Sequence, residues 1–200
     1  ADFDRDGHTD LAAANHGSDE LSLLLGNGDG TFAVAREDSA GERPVSLFEA
    51  DLDGDSDTDL VVANEGSDNV SILLNSGDGS LASPVNYGLG GSPRSVFGGD
   101  FDRDGDTDLA TANYTTDDVS VLLNEGDGTF GASVQYWAGQ GPTSLFSIDL
   151  NGDGDPDLAV ANEGTSDVSV LLNNGDGTFA PAVNYGTGTA PQSLFGADLD

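Results

Sequence analysis

The sequence repeats one acidic loop at a fixed spacing of 49 residues. The third copy, residues 100–108, reads Asp-Phe-Asp-Arg-Asp-Gly-Asp-Thr-Asp; related copies occupy 2–10, 51–59 and 149–157, and another begins at Asp198 and Asp200. Carboxylates at positions 1, 3, 5 and 9 of so short a loop repel one another unless a cation neutralises them. The chain is therefore predicted to be a repeat protein with one cation site in each repeat.

Each loop offers side-chain oxygens at positions 1, 3, 5 and 9 and a backbone carbonyl at position 7. Hard oxygen ligands, with no Cys and no His side chain among them, favour Ca²⁺ over Zn²⁺. His8, Asp57, Asp106 and Asp155 hold position 7, where only the carbonyl is needed. The predicted metal-binding residues are Asp2, Asp4, Asp6, His8 and Asp10; Asp51, Asp53, Asp55, Asp57 and Asp59; Asp100, Asp102, Asp104, Asp106 and Asp108; and Asp149, Asn151, Asp153, Asp155 and Asp157.

Two loops depart from this pattern. Asn151 keeps an oxygen at position 3 but removes one charge. Ser56 stands at position 6, where the other loops have Gly; if this position needs a positive φ, the second loop is strained and is the weakest candidate. The alternative for all four loops is a solvated acidic turn that binds nothing. An EF-hand is a poor match because position 12 is never Glu.

Each repeat also predicts four short strands. In the second copy these are 44–50, 59–64, 69–75 and 81–87, and Asp78 between two glycines marks the turn of a hairpin. Four antiparallel strands in 49 residues match the blade of a β-propeller, whose repeats span about 40 to 50 residues. The predicted fold class is therefore an all-β propeller of four-stranded blades. A parallel β-helix is the alternative, but its coils are shorter and lack the hairpin.

Residues 99–113, followed by Val-Ser-Val-Leu-Leu-Asn and then Gly-Asp-Gly-Thr-Phe, carry a family resemblance. This unit resembles the FG-GAP or VCBS repeat, the blade of integrin α-subunit propellers and of many secreted microbial proteins. The resemblance covers essentially the whole chain. It implies that the acidic loop joins the first and second strands of each blade and binds Ca²⁺. It also implies adhesion and, in some relatives, carbohydrate binding.

The repeats are predicted to form one domain, 1–200, divided at approximately 1–43, 44–92, 93–141 and 142–190. The apolar segment 190–197 is predicted to be a spare strand that completes the first blade beside residues 10–15. This pairing would close a ring of four blades in one chain, or of eight in two chains, and propellers have about 4 to 8 blades. Self-association through the terminal strand is the corresponding partner prediction.

Charge and composition exclude several classes of partner. The formal net charge is −32, with 37 Asp and Glu against five Arg and no Lys. Such a field repels nucleic acids and anionic membranes, so neither is a predicted partner. No apolar run approaches the roughly 20 residues that span a bilayer, so membrane insertion is not expected. The absence of Cys excludes disulfides and thiolate metal sites.

Catalysis has little support in the sequence. The only two His lie in one repeat, and there is no Lys or Cys to act as a nucleophile. The chain is predicted to be a secreted or cell-surface recognition or adhesion module, not an enzyme, with a protein or carbohydrate ligand. Tyr114 and Trp137 break the repeat and are candidate ligand contacts, although such residues also fill gaps between blades. The alternatives are a structural segment of a surface or filament protein, or part of a polysaccharide-degrading enzyme.

Overall fold

The computed structural model describes residues 1–197, which form four antiparallel sheets, one in each repeat. The first sheet has three strands and the others have four. The strands are β1 (Leu11–Asn15), β2 (Glu20–Leu24), β3 (Arg36–Ser39), β4 (Pro44–Ala50), β5 (Asp59–Asn64), β6 (Asn69–Leu73), β7 (Val85–Gly88), β8 (Pro93–Gly99), β9 (Asp108–Asn113), β10 (Asp118–Leu122), β11 (Val134–Trp137), β12 (Pro142–Ile148), β13 (Asp157–Asn162), β14 (Asp167–Leu171) and β15 (Val183–Gly186).

The all-β prediction is confirmed, and the strands agree closely with those read from the second repeat. β4 and β5 have the predicted bounds, whereas β6 ends earlier and β7 begins later than predicted. Pro84 lies just before β7 and has no N–H to give to a strand ladder. Between β6 and β7, the predicted hairpin is held by an isolated bridge from Asn75 to Leu81, with positive φ at Gly77 and Gly79.

The core consists of apolar layers between consecutive sheets. Every residue of β5, β9 and β13 is buried, because each of these strands lies inside a sheet that is covered on both faces. The three layers include, in chain order, Phe3, Leu21 and Leu60; Leu52, Val61 and Leu109; and Phe101, Leu158 and Leu171. Each loop therefore supplies an apolar residue at position 2 to a core layer, except in the fourth, where Leu150 is 47% exposed.

The inner strands β4, β8 and β12 lie side by side and repeat the same contacts. The ring centroids of Phe48 and Phe97 are 5.4 Å apart, and those of Phe97 and Phe146 are 5.1 Å apart. Residues 190–197 continue this series, since Phe195 lies 5.1 Å from Phe146 and the Leu194 N–H donates to Ser144 Oγ at 3.3 Å. The segment thus packs against β12 as the next inner segment of the array.

The four sheets are not closed into a ring in the described residues. Residues 191–197 are not a regular strand, and β1 pairs only with β2. The predicted pairing of 190–197 with the first blade is therefore not present: this segment contacts β12, whereas β1 lies beside β4. Ring closure stays a prediction, and the loop copy that begins at Asp198 and Asp200 lies outside the described residues.

Candidate metal centres

The second, third and fourth acidic loops connect the first and second strands of their sheets, and the first loop directly precedes β1. β4 ends at Ala50 and β5 begins at Asp59, so residues 51–59 span the gap between them. The third and fourth loops occupy the same place between β8 and β9 and between β12 and β13. This is the position that the family resemblance implies, and it brings each loop to the edge of a rigid pair of strands.

The Asp at position 9 is buried in every loop and ties the loop to the rest of its sheet. In the third loop, Asp108 accepts the Phe101 N–H on Oδ2 and the Asn124 N–H on Oδ1, both at 2.8 Å. The equivalent pairs of donors are Phe3 and Gly26 for Asp10, Leu52 and Asn75 for Asp59, and Leu150 and Asn173 for Asp157. Position 9 therefore joins the start of the loop to the hairpin that follows the third strand.

Position 6 has a positive φ in all four loops. The angle is 87° at Gly7, 97° at Gly105 and 92° at Gly154, and Ser56 adopts 71°. The N–H at this position donates to the Asp at position 1, and the Ser56 bond to Asp51 measures 2.9 Å, as in the first and fourth loops. The second loop thus has the common geometry and carries a left-handed residue with a side chain, which is a strained conformation.

We expect Ser56→Gly to stabilise the protein by about 0.5 to 1 kcal/mol, because Gly removes the steric cost of a positive φ at this position. Gly54→Ser in the same loop is the matched control and should destabilise, since Gly54 has a φ of 77°. Urea unfolding in excess calcium measures both changes. A clear loss of stability from Ser56→Gly would show that the Ser hydroxyl has a role of its own in this loop.

Carboxylate oxygens converge in three of the four loops. In each group, three oxygens lie within 4.8 Å of one another; the groups are Asp2, Asp4 and Asp6; Asp51, Asp53 and Asp59; and Asp100, Asp102 and Asp108. Asp55, Asp104 and Asp153, at position 5, each accept the N–H of the residue at position 7 at 2.8 to 2.9 Å. These groups can hold a metal ion, and their all-oxygen donors suit a hard divalent cation.

Two details of the loops bear on how well a cation fits. Asp100 Oδ1 is buried and has no hydrogen-bond partner in the described residues. An unpartnered carboxylate oxygen is costly to bury, and a bound cation would offset that cost. In the fourth loop, Asn151 Nδ2 donates to Asp153 Oδ2 at 2.8 Å. At position 3 of this loop an amide thus stands where the other three loops have a carboxylate. The fourth loop accordingly offers a less negative site than the third.

Burial raises the pKa of the position-9 carboxyl in the second and third loops. The pKa of Asp59 and that of Asp108 are each raised to about 6, chiefly by loss of hydration; the backbone N–H donors oppose this shift and neighbouring carboxylates add to it. Burial also raises the pKa of Asp53 and of Asp102. Holding these charges together without a cation is therefore unfavourable, and proton uptake is the alternative to metal binding.

These shifts predict a pH dependence of the calcium-free protein. A carboxyl whose pKa is higher in the folded than in the unfolded state stabilises the fold at low pH and loses that contribution as pH rises. Asp59 and Asp108 should each cost about 2 kcal/mol of folding free energy between pH 4 and pH 6. Urea unfolding in EDTA at pH 4, 5 and 6 measures the effect. Bound calcium should flatten the profile, and a calcium-free protein that gains stability over this range would contradict it.

Two arginines connect loops of neighbouring blades, a role that the sequence analysis missed. Arg5 and Arg103, at position 4 of the first and third loops, form ion pairs with Asp57 and Asp155 of the next loop. These Asp side chains are only 7% and 6% exposed, so their carboxylates serve as partners between blades in addition to any role of the carbonyl. The recurrence of Arg at position 4 in alternate loops was the available signal.

An Asn that recurs after the third strand in three blades provides a second connection. Asn124 Nδ2 donates to the carbonyl of Leu52, 72 residues earlier, at 2.9 Å, and to that of Thr107 in its own blade at 3.2 Å. Asn75 and Asn173 make the same two bonds in their blades. Each of the first three loops is therefore attached to the following blade through its position-2 carbonyl, so that loop order and blade packing depend on each other.

Three further predicted site residues are His8, Tyr114 and Trp137. His8 Nδ1 is 3.0 Å from Asp6 Oδ2, and its imidazole is partly exposed. Tyr114 is partly buried, with the guanidinium carbon of Arg94 3.8 Å from its ring centroid. Trp137, at the end of β11, is 75% exposed and borders a groove of about 390 Å³ lined also by Phe179 and Pro181. Trp137 is thus the more accessible of the two aromatic candidates.

Repeated four-stranded sheets with an acidic loop after each inner strand define a β-propeller-type repeat protein. The sequence matches the model of the FG-GAP-like repeat at residues 2–62, 51–111, 100–160 and 149–200. The chain belongs to the family of FG-GAP-like repeat proteins, and this confirms the resemblance seen in the sequence. A comparison with curated proteins gave no match.

Solved structures of low identity share the fold. BBS1N, in a complex with ARL6DN, is 15% identical with a TM-score of 0.67, over 96% of this chain. A protein from Bacteroides uniformis with a provisional 6-phosphogluconolactonase name is 16% identical with a TM-score of 0.69, over 92%. A functionally unknown protein from Desulfotomaculum acetoxidans is 14% identical with a TM-score of 0.60, over 86%. This chain spans 56% of the length of each.

Among residues 1–197, the structure has no helix with the length and apolar character needed to cross a membrane.

Proposed function

We propose that this chain is a calcium-stabilised propeller module that serves recognition or adhesion outside the cell. The observation that carries the proposal is the convergence of three carboxylates in each of three equivalent loops. Four properties support calcium as the ion: the donors are all oxygen, the loops repeat, one buried oxygen lacks a partner, and burial raises the pKa of Asp59 and of Asp108. Family membership supports the extracellular location.

The role proposed for calcium is structural. In the third loop, Asp100, Asp102, Asp104 and Asp108 would hold the ion, with the carbonyl of Asp106 as a further ligand. The bound ion would supply the positive charge that these carboxylates lack. Asp108 also accepts the backbone N–H groups of Phe101 and Asn124. The Asn124 side chain in turn donates to the Leu52 carbonyl in the loop of the neighbouring blade. Neutralising the loop therefore stabilises the contact between blades as well as the loop itself.

A non-catalytic role agrees with the chemistry of the side chains. The sequence has no Lys or Cys, and its two His are His8 and His16. His8 contacts Asp6 of the first acidic loop, and His16 accepts a hydrogen bond from Arg43 Nε at 3.2 Å. The repeated carboxylates are already accounted for by the proposed metal sites. A part in polysaccharide degradation has no supporting observation among the described residues.

Carbohydrate is the ligand class that Trp137 favours. An exposed indole ring can stack on the apolar face of a sugar, and the adjoining groove also has the amides of Gln135 and Asn184 in its lining, which can bond to hydroxyl groups. The residues at the equivalent position of the second and fourth repeats are Gly88 and Gly186. The indole is therefore a feature of the third blade alone and is not required by the repeat.

A glycan array probed in excess calcium tests this ligand class. We expect binding that Trp137→Ala abolishes and that Tyr185→Ala preserves. Tyr185 is the matched control because it is 57% exposed and lies on β15, the equivalent outer strand of the next blade. Failure of the unmodified protein to bind any glycan would reject carbohydrate as the ligand while leaving the proposed calcium sites untouched.

The alternative proposal is a structural segment that assembles through its ends. It is favoured by two surfaces that no described residue covers: the edge of β1, where Leu11 is 48% exposed, and Phe195, which is 79% exposed. The residues equivalent to Leu11 are buried in the other blades, and the residues equivalent to Phe195 are partly buried there. Native mass over a range of concentrations tests assembly: a dimer supports a ring of eight blades, a ladder of species supports a filament, and a monomer at every concentration rejects both.

A further inference from the structure

The five arginines of this acidic protein have different partners. Arg5 and Arg103 are paired with buried carboxylates of the metal loops, and within residues 1–197 the one side-chain hydrogen bond of Arg36 goes to Ser80 Oγ, at 3.4 Å. The remaining two, Arg43 and Arg94, converge on one carboxylate, as described next. Two of the five arginines in a chain of net charge −32 therefore lie together at a place that the metal sites do not explain.

Glu65 is the centre of this cluster. Its side chain is 13% exposed; Oε2 lies 3.1 Å from Arg43 Nη2, and Oε1 lies 3.3 Å from Arg94 Nη2. Arg43 Nε donates to His16 Nε2 at 3.2 Å, which requires a neutral imidazole with its proton on Nδ1. The nearby contact of 3.4 Å between His16 and Glu65 is then not an ion pair. The cluster thus has two positive charges and one negative charge.

Arg94 is held in place from two sides. Glu65 binds its Nη2, and the Tyr114 ring lies against the guanidinium carbon at 3.8 Å. Within the described residues, Arg94 makes no other side-chain hydrogen bond, so donors of a fixed, planar guanidinium remain free. Its side chain is 35% exposed. A guanidinium with a fixed orientation and free N–H donors is well suited to bind a carboxylate.

The cluster borders a cavity of about 300 Å³ on the inner strands. Val45, Arg94, Thr143 and Gln192 occupy the same position in successive repeats, and all four line the cavity together with Arg43 and Glu65. Two positive groups, a hydroxyl, an amide and only one acid thus face a space of the size of a single small ligand. The net charge of −32 repels polyanions more strongly than it repels a ligand with a single charge. An occupant with one carboxylate and otherwise neutral polar groups therefore suits this cavity better than a polyanion does.

We propose that this cavity binds the carboxylate of a sugar acid of the hexuronic class. Arg94 and Arg43 bind the carboxylate, and Thr143, Gln192 and Glu65 contact the hydroxyl groups. This inference deepens the proposed recognition function and depends on it, but it requires neither Trp137 nor the metal loops. Tyr114 acts here by positioning Arg94 and not by stacking on the sugar.

Calorimetric titration of the calcium-loaded protein with D-glucuronate tests the site. We expect binding that D-glucose does not reproduce and that Arg94→Gln weakens at least tenfold. Arg36→Gln changes the net charge by the same amount at a distant position, so it should leave the affinity within about twofold. Gln192→Glu adds a carboxylate to the cavity without removing a contact of Glu65, and it should weaken binding even if Arg94→Gln proves poorly folded.

Each of the other outcomes would overturn the proposal. Absence of glucuronate binding, equal binding of glucose, or an affinity that Arg94→Gln and Gln192→Glu leave unchanged would each show that the cluster only joins blades. Equal binding of N-acetylaspartate amide would show that a carboxylate is recognised without the sugar and would reject the sugar-acid class. The proposed calcium role is tested separately, because chelation changes the melting temperature whether or not glucuronate binds.

Discussion

Removal of calcium is expected to lower the melting temperature by roughly 20 to 40 °C at low salt. Each independent site contributes about 2.7 kcal/mol when free calcium is 100 times Kd, so four sites contribute roughly 11 kcal/mol. In a chain of this size, 1 kcal/mol corresponds to about 2 to 4 °C. The physical reason is that the fold brings carboxylates together, whereas the unfolded chain keeps them apart and hydrated.

Differential scanning calorimetry in excess calcium and in EDTA measures this change. Magnesium at the same concentration is the matched control and should restore little of the stability, since Mg²⁺ is smaller and gives up its water ligands reluctantly. High salt should raise the melting temperature of the chelated protein, because screening weakens repulsion among exposed carboxylates. Equal melting temperatures in calcium and in EDTA at low salt would mean that the loops are ordinary acidic turns.

Asp108→Ala is expected to cost about 3 to 5 kcal/mol in excess calcium. Asp108 is completely buried, and the substitution leaves the N–H groups of Phe101 and Asn124 without acceptors and removes a proposed ligand. In EDTA the cost should be smaller, because the variant no longer buries a carboxylate whose pKa is raised to about 6 by loss of hydration. Urea unfolding under both conditions gives the two values.

Asp127→Ala is the matched control for this substitution. Asp127 is exposed on the Gly-Asp-Gly turn of the same blade, and its side chain bonds only to Thr129 among the residues that the structure describes. Its loss should cost less than about 1 kcal/mol and should not depend on calcium. If Asp108→Ala cost the same in calcium as in EDTA, Asp108 would be a hydrogen-bond acceptor alone, and the proposed ligand set would lose its position-9 member.

The sequence was sufficient for the strands and for the place of the loops. β4 and β5 were predicted with their observed bounds because apolar residues and acidic loops alternate sharply there. The positive φ at position 6 was also foreseen, since Gly recurs there in three loops and Ser56 was identified as the strained exception. Local features of this kind depend on neighbouring residues and repeat with the period of the sequence.

The contacts between blades were not foreseen, because they join residues far apart in the chain. The ion pair of Arg5 with Asp57 and the bond from Asn124 to Leu52 depend on how one blade is placed against the next. The same applies to Phe195, whose ring packs at a tilt against Phe146 where residues 190–197 contact β12. A repeat pattern specifies which surfaces are alike, but it does not say which copy a terminal segment will contact.

The most direct test of the account is the number of calcium ions that one chain binds. Equilibrium dialysis against buffered free calcium, followed by atomic emission, gives this ratio for the unmodified protein. We expect four ions per chain, with the fourth loop the weakest because Asn151 replaces a carboxylate; the second loop, the weakest candidate by sequence, has the common geometry despite Ser56. Asp102→Ala and Asp53→Ala should each lower the ratio by one. A chain that binds no calcium at physiological ionic strength would contradict the central claim that the repeated loops are calcium sites.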